Sequence, residues 1–262
     1  MKLFCALLAM LTTVQICQAE PIRSADIAEL NDGILAFATH EHTEAIRLLR
    51  PLAENGQPLA QLLLGRIYVH SNSVTRDCGS GVSWLIRASD LGNAEAAFEL
   101  ADLYKRGHCV APNESIALNW YIKAAEEGYP AAPNAVAEIY LGSDKLAPDY
   151  PASLRWFLRA VRLFDKSACF HIGTIYAQGR GVPTDYKEAY KWFELSLLLT
   201  PYYGDEWDRA LTARDRVREQ LMPAQVAEAD ADANRIMLAL LMQFTSSANS
   251  QTVDTLLSLR HE

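Results

Sequence analysis

Apolar and polar positions along this chain fall into helical stripes, and the stripes come in pairs. Between 94 and 126, Ala96, Leu100, Ala101 and Leu103 make one stripe, while Ala117, Trp120, Tyr121 and Ala124, at i, i+3, i+4 and i+7, make a second. The segment between them carries Gly107 and Pro112, so the pair reads as two helices joined by a loop. The pairing recurs in fixed register. Trp84, Trp120, Trp156 and Trp192 lie 36 residues apart, as do Tyr68, Tyr104, Tyr140 and Tyr176, and Ala60, Ala96, Ala132 and Ala168. Four copies without insertion make an internal repeat of helical hairpins, each of which needs neighbours to bury its seams.

Local chemistry supports the same boundaries. Small residues five apart, such as Ala60 with Gly65 and Ala96 with Ala101, let the two arms of a hairpin approach closely. Gly56, Gly92 and Gly128 stand where a helix C-terminus needs positive φ. Phe164 takes the fourth such place, which predicts a distorted or longer helix end there. Asp77, Asn113, Asp149 and Asp185 stand at the N-cap of each second arm, where a side-chain oxygen accepts from free amides. The tryptophans, in the middle of each second stripe, read as core. Full repeats are thus expected from about 56, 92, 128 and 164, preceded by a partial hairpin over 26–55. A helical cap over 200–246, broken at Met222-Pro223, and a linker and tail over 247–262 close the chain.

The copy ACFHIGTIYAQGRGVPTDYKEAYKWF (168–193) resembles the Sel-one-like repeat, the 36-residue branch of the tetratricopeptide-like solenoids. The resemblance runs from Asp26 to Leu199, and RDRVREQLMPAQVAEA (214–229) is similar to the helix pair that closes exported bacterial members. It implies an all-α, right-handed α/α solenoid. It also implies an adaptor or scaffold that binds proteins. Copies one and three, YVHSNSVTRDCGSGVSWL and YLGSDKLAPDYPASLRWF, lack the loop glycines of the fourth, so their loops are expected to differ.

Composition narrows the partner. The chain has 262 residues, half of them apolar, and a formal charge of −8. That balance, without a basic run, argues against a nucleic-acid partner, because phosphates are bound by clustered Lys and Arg. Residues 1–19, MKLFCALLAMLTTVQICQA, read as a secretory signal cut after Ala19, with an apolar run well short of the roughly 20 residues of a spanning helix. Removing Lys2 leaves 23 basic against 32 acidic side chains, a charge of −9, on a periplasmic or secreted product with no membrane span.

Motifs with possible chemistry are few. Gly179 and Gly181 lack the preceding strand and the third glycine of a dinucleotide loop, and the Gly-Lys-Ser/Thr of a P-loop. His40-Glu41-His42 places two imidazoles and a carboxylate together, but adjacent turn positions diverge, so no metal is expected. No nucleophile and base are brought together, so neither enzyme activity nor a cofactor is expected. Of the three cysteines left after processing, Cys78 and Cys109 project from the same edge of neighbouring copies and are expected to form a disulfide. Cys169 reads as a core thiol, with dimerisation through it as the alternative.

Aligning the copies separates fixed columns from variable ones. Positions matching Ala60, Leu64, Gly65, Ile67 and Tyr68 keep their character; those matching Leu59, Leu62, Leu63 and Arg66 do not. The variable set is spaced i, i+3, i+4, i+7 and so makes one face per first-arm helix, an inner groove once the hairpins stack. Its candidates are Arg66 in the first copy, then Glu95, Phe98, Glu99 and Asp102 in the second. Asn134 and Glu138 follow in the third, and Phe170, His171 and Thr174 in the fourth. Phe98 and Phe170 in a field of acids suit a protein or peptide of the cell envelope carrying basic and apolar residues. A second candidate is the aromatic patch of Tyr202, Tyr203 and Trp207. Two other readings remain open: an enzyme or binder acting on cell-wall or β-lactam-type compounds, and a structural part of an envelope machine such as a flagellar motor ring.

Overall fold

A computed structural model describes residues 24–143, 146–200 and 204–243. The signal segment 1–19, the tail 247–262 and the pair Tyr202 and Tyr203 lie outside the described residues. Among these, all regular structure is helical: α1 Ser24–Ala38, α2 His42–Glu54, α3 Pro58–His70, α4 Cys78–Asp90, α5 Ala94–Arg106, α6 Glu114–Glu126, α7 Ala132–Leu141, α8 Tyr150–Val161, α9 Lys166–Gln178, α10 Tyr186–Leu199, α11 Asp205–Arg218 and α12 Pro223–Gln243. From α1 to α10 consecutive helices pack on one another, each hairpin resting on the next, and α11 and α12 both lie on α10.

The close approach of the arms rests on the small residues. A Cβ added to Gly65 would sit 2.7 Å from Leu85 Cδ2, and one added to Gly173 would sit 2.7 Å from the Phe193 ring. Ala60, Ala96, Ala101, Ala132, Ala137 and Ala168 are fully buried in the same columns. A larger side chain at any of them would force the arms apart.

The loop between arms has one constant and several variables. Asp77, Asn113, Asp149 and Asp185 each cap the second arm through the side chain, accepting from the amides of Ser80, Ile116, Ala152 and Glu188. The backbone amide of each cap donates back to the carbonyl of the tyrosine nine residues earlier, Tyr68, Tyr104, Tyr140 and Tyr176, at 3.1, 2.8, 2.8 and 3.1 Å. An apolar residue is tucked beneath every joint: Val74, Val110, Leu146 and Val182. Around these anchors the conformations differ, as the missing glycines foretold. α5 and α9 end on left-handed Gly107 and Gly179, α3 ends on extended Ser71, and α7 stops one residue short of that register, at Gly142.

Phe164 corrects one expectation. The helix before it is neither distorted nor lengthened: α8 has 12 residues, and Phe164 adopts φ 63, as Gly56, Gly92 and Gly128 do at 86, 81 and 93. The amide of Asp165 reaches the Ala160 carbonyl at 3.1 Å, in the pattern made by Asn93 to Ala88 and Tyr129 to Ala124. A side chain with a Cβ is held left-handed because its ring packs against the core formed by α7 to α10 and α12.

The tryptophans need a second correction. Trp192 is 3% exposed, whereas Trp84, Trp120 and Trp156 are only half-buried. Each wedges between neighbouring hairpins, Trp120 touching three separate groups of core residues. Each also presents a ring face to a cation: Arg87 over Trp84 at 4.7 Å, Lys123 over Trp120 at 5.2 Å, Arg159 over Trp156 at 5.1 Å and Lys191 over Trp192 at 5.3 Å.

Two measurements check this packing. Trp192→Ala should cost about 3–5 kcal/mol in urea denaturation and Trp84→Ala clearly less, in proportion to burial. Phe164→Gly and Phe164→Ala lose the same ring, so their difference reads the backbone alone. The glycine variant should be more stable by about 1 kcal/mol.

Candidate functional site

The inner face is formed by α3, α5, α7 and α9. Leu62 and Leu63, assigned to its variable columns, are 0% and 5% exposed and belong to the core. The first copy therefore contributes Arg66 as its polar group. Arg66 reaches across to α5, where its Nη2 donates to Glu95 at 2.6 Å and its Nε donates to Glu99. Burial outweighs that pairing and pushes the Glu99 carboxyl above the usual range, and its Oε2 is buried without a hydrogen-bond partner.

Asp102 is held on the next turn. It accepts from the Tyr121 hydroxyl of α6 and from Arg106 Nη2 at 3.1 Å. Burial, then the bond to Asp102, pushes the Tyr121 hydroxyl well up, so it stays a donor. Lys105 lies 3.9 Å from Glu138 of α7, which accepts from Asn134 Nδ2 at 3.1 Å. Phe98 sits beside these groups in an aromatic trio, its ring centre 5.1 Å from Tyr121 and 4.5 Å from Tyr129. The structure thus brings Arg66, Glu95, Phe98, Glu99, Asp102, Asn134 and Glu138 onto one surface.

The fourth-copy residues are placed differently. Phe170 rests on Phe193 and lies under Arg209 of the cap, and Thr174 Oγ1 donates to the Phe170 carbonyl at 2.9 Å. His171 stacks on Phe157 at 5.0 Å. A cavity of about 70 Å³ lies between Phe170, His171 and α11. Trp207 is half-buried on the same cap helix.

Two open depressions lie at the loop edge of the first hairpins, and of the expected binding residues only Arg66, Glu99 and Asp102 reach them. One, of about 690 Å³, is floored by Phe37, Ala38 and Ile67 and ringed by His40, His42, His70, Arg66 and Ser71 to Ser73. The other, of about 440 Å³, adjoins it through His70 and Glu99 and adds Asp102, Arg106 and His108. His70 and Arg106 sit four residues beyond Arg66 and Asp102, so extending the i, i+4 column by one more turn would have found them. Among the described residues no group of three or more His, Cys, Asp and Glu is arranged to hold a metal ion.

Cys78 and Cys109 are joined, with Cα atoms 5.0 Å apart, tying the start of α4 to the loop after α5. Cys109 lies at φ 64, in register with Gly181 at φ 68. Cys169 is fully buried in α9, and burial pushes its thiol far up, out of reach of ordinary thiol chemistry.

The Sel1 repeat family matches residues 58–93, 94–129, 130–163 and 166–199. The chain belongs to this family. Sel1 repeat proteins are typically scaffolds for protein–protein interaction on a generally non-enzymatic fold. Among solved structures, the chain is similar to a Sel1 repeat protein from Oxalobacter formigenes, with 25% identity over 74% of this chain and 86% of that one, at a TM-score of 0.58. It is also similar to a protective antigen present in uropathogenic Escherichia coli strains displaying an SLR fold, with 21% identity over 90% of this chain and 56% of that one, at a TM-score of 0.44. No curated protein matches the chain. The repeat boundaries fall where the helix pairs do.

Closing a loop of 31 residues, the disulfide should contribute about 3 kcal/mol, read as the stability lost in the Cys78→Ser/Cys109→Ser protein. Three free thiols in the folded, oxidised protein would refute the bond. Stability should also depend on pH in a stated direction. Burial holds His171, His70 and His42 below 6.5, so the unfolded chain binds more protons in that window. Stability then falls as pH drops through about 6.5, and His171→Phe should flatten the slope of Tm against pH.

Proposed function

We propose that this Sel1 repeat protein is an exported, non-enzymatic scaffold whose inner face binds a segment of another protein, one of the cell envelope, rich in basic and apolar residues. The observation that carries this reading is the run of four carboxylates, Glu95, Glu99, Asp102 and Glu138, around the half-buried Phe98 on one continuous surface. Acids outnumber the Arg66, Lys105 and Arg106 that pair with them, so a partner's cations meet net negative charge. Phe98, with Tyr121 and Tyr129 behind it, offers a rigid apolar anchor of the kind that dominates interface energetics.

Export is supported by the signal-like residues 1–19 and by a disulfide, which persists in oxidising compartments. No helix of the described residues is long and apolar enough to cross a membrane. Phe170, His171 and Thr174 serve this reading as the wall where the groove meets the cap.

A photo-crosslinking amino acid at Asn134 should capture a partner from the cells that make the protein, and the same group at the exposed second-arm position Ser83 should not. Glu95→Lys/Glu138→Lys should lower the Asn134 yield at least tenfold with Tm unchanged. Equal capture from both faces would place the binding surface elsewhere.

A further inference from the structure

Four of the chain's six histidines converge on one edge of the solenoid, although they come from three separate segments. His40 and His42 stand at the turn between α1 and α2, His70 ends α3, and His108 lies in the loop after α5. Their rings are in mutual contact in pairs: His40 meets His42 edge-on at 5.7 Å, and His70 stacks parallel on His108 at 5.6 Å. Between the pairs is the depression floored by Phe37, Ala38 and Ile67.

We infer that this basin is a second docking subsite, which takes an acidic and apolar segment of a partner protein and takes it more tightly as the imidazoles gain protons. The apolar floor supplies a seat for a side chain of leucine or phenylalanine size. The charge of the rim depends on the imidazoles.

The surroundings of each ring decide the sign. His42 faces His40 and Phe37, and its Nδ1 lies 2.6 and 2.7 Å from the hydroxyls of Ser71 and Ser73. Those hydroxyls can accept from a protonated ring as readily as they donate to a neutral one. His70 faces Arg66, Arg76 and Arg106 as well as His108, with Glu99 and Asp102 across the adjoining depression. His108 Nε2 lies 3.3 Å from the Val69 carbonyl, which can only accept. The two carboxylates are already engaged, Glu99 by Arg66 and Asp102 by Tyr121 and Arg106. Protonation therefore adds positive charge to a rim where, among the described residues, Glu99 and Asp102 are already paired and Glu41 is exposed to solvent. Burial, with the neighbouring imidazoles and arginines, resists that protonation in the free protein and holds His42 and His70 below the ordinary value. A bound carboxylate relieves the repulsion, and by linkage the proton strengthens the binding of the carboxylate equally.

This subsite is of opposite polarity to the acidic groove and rests on the reading above only for the choice of face. The test uses the full, oxidised chain and two fluorescein-labelled dodecapeptides, one of Leu, Phe and Glu, the other of Leu, Phe and Lys. Fluorescence polarisation at pH 5.5 and 7.5 gives the affinities; glutamates with a pKa near 4.3 stay ionised at both, so a gain belongs to the protein. The Glu peptide should bind about fivefold tighter at pH 5.5 than at pH 7.5, the effect of raising one imidazole pKa by about one unit on binding. His42→Gln/His70→Gln should abolish most of that gain with the circular dichroism unchanged. The inference fails if affinity is independent of pH, if the double variant keeps the gain, or if the Lys peptide shows the larger gain at pH 5.5. Glu138→Lys, at a residue that lines neither depression and does not touch Arg66, should weaken groove binding and leave the gain intact, so loss of groove binding and loss of this subsite are told apart.

Discussion

One hydrogen bond, made four times, holds this solenoid in register. The amide of Asp77, Asn113, Asp149 or Asp185 donates to the carbonyl of the tyrosine that leads the last turn of the preceding arm. Because the same residue caps the second arm with its side chain, a single position fixes both where that helix begins and how it meets its partner. The interval between the two ends is constant, although the path between them is not. This is why two copies dispense with the loop glycines and still pack as the others do. With the path released from duty in folding, its side chains are free for other work. The loop in which Cys109 occupies a left-handed position, and His108 stacks on His70, is the clearest instance.

What the sequence made legible follows from that division. Features that recur every 36 residues, the caps, the small columns and the tucked Val and Leu, could be read from one chain because it contains its own comparison. The pairing of Cys78 with Cys109 was readable for the same reason, once both were placed on one edge. Features present in one copy only were harder. Phe164 looked like a missing cap because positive φ was equated with glycine, yet a ring anchored in the core can hold the backbone left-handed. The tryptophans were assigned to the core by their stripe, which holds for Trp192, but for Trp84, Trp120 and Trp156 a wedge between two hairpins leaves the ring only half-buried. The cations over those rings were not anticipated. The histidine basin escaped notice because its members lie 28 to 38 residues apart, as His42 to His70 and His70 to His108, and no local pattern joins them.

The inner face has a physical character that column comparison alone did not convey. Its charges are largely engaged, Arg66 with α5 and Lys105 with Glu138 across hairpins, and Asp102 with Tyr121 within one. Such a surface is already ordered before a partner arrives, so little side-chain entropy remains to be lost there on binding. The same pairing raises the cost of desolvation, since a partner must replace bonds that exist rather than fill vacancies. Rigid, half-compensated surfaces favour selectivity over raw affinity. A segment that matches both Phe98 and the surrounding acids gains what a merely basic one cannot.

Glu99 shows how far this ordering goes. It is the carboxylate shared by both depressions, its Oε1 taken by Arg66 and its Oε2 enclosed with no partner. Burial pushes its carboxyl up while Arg66 draws it down, and the balance depends on whether Arg66 stays. A ligand carboxylate that drew Arg66 toward the basin would leave Glu99 to take a proton, whereas a ligand cation in the groove would hold it ionised. The two polarities of this surface are therefore not independent neighbours. They meet at one residue, whose protonation would couple what the two proposed subsites bind.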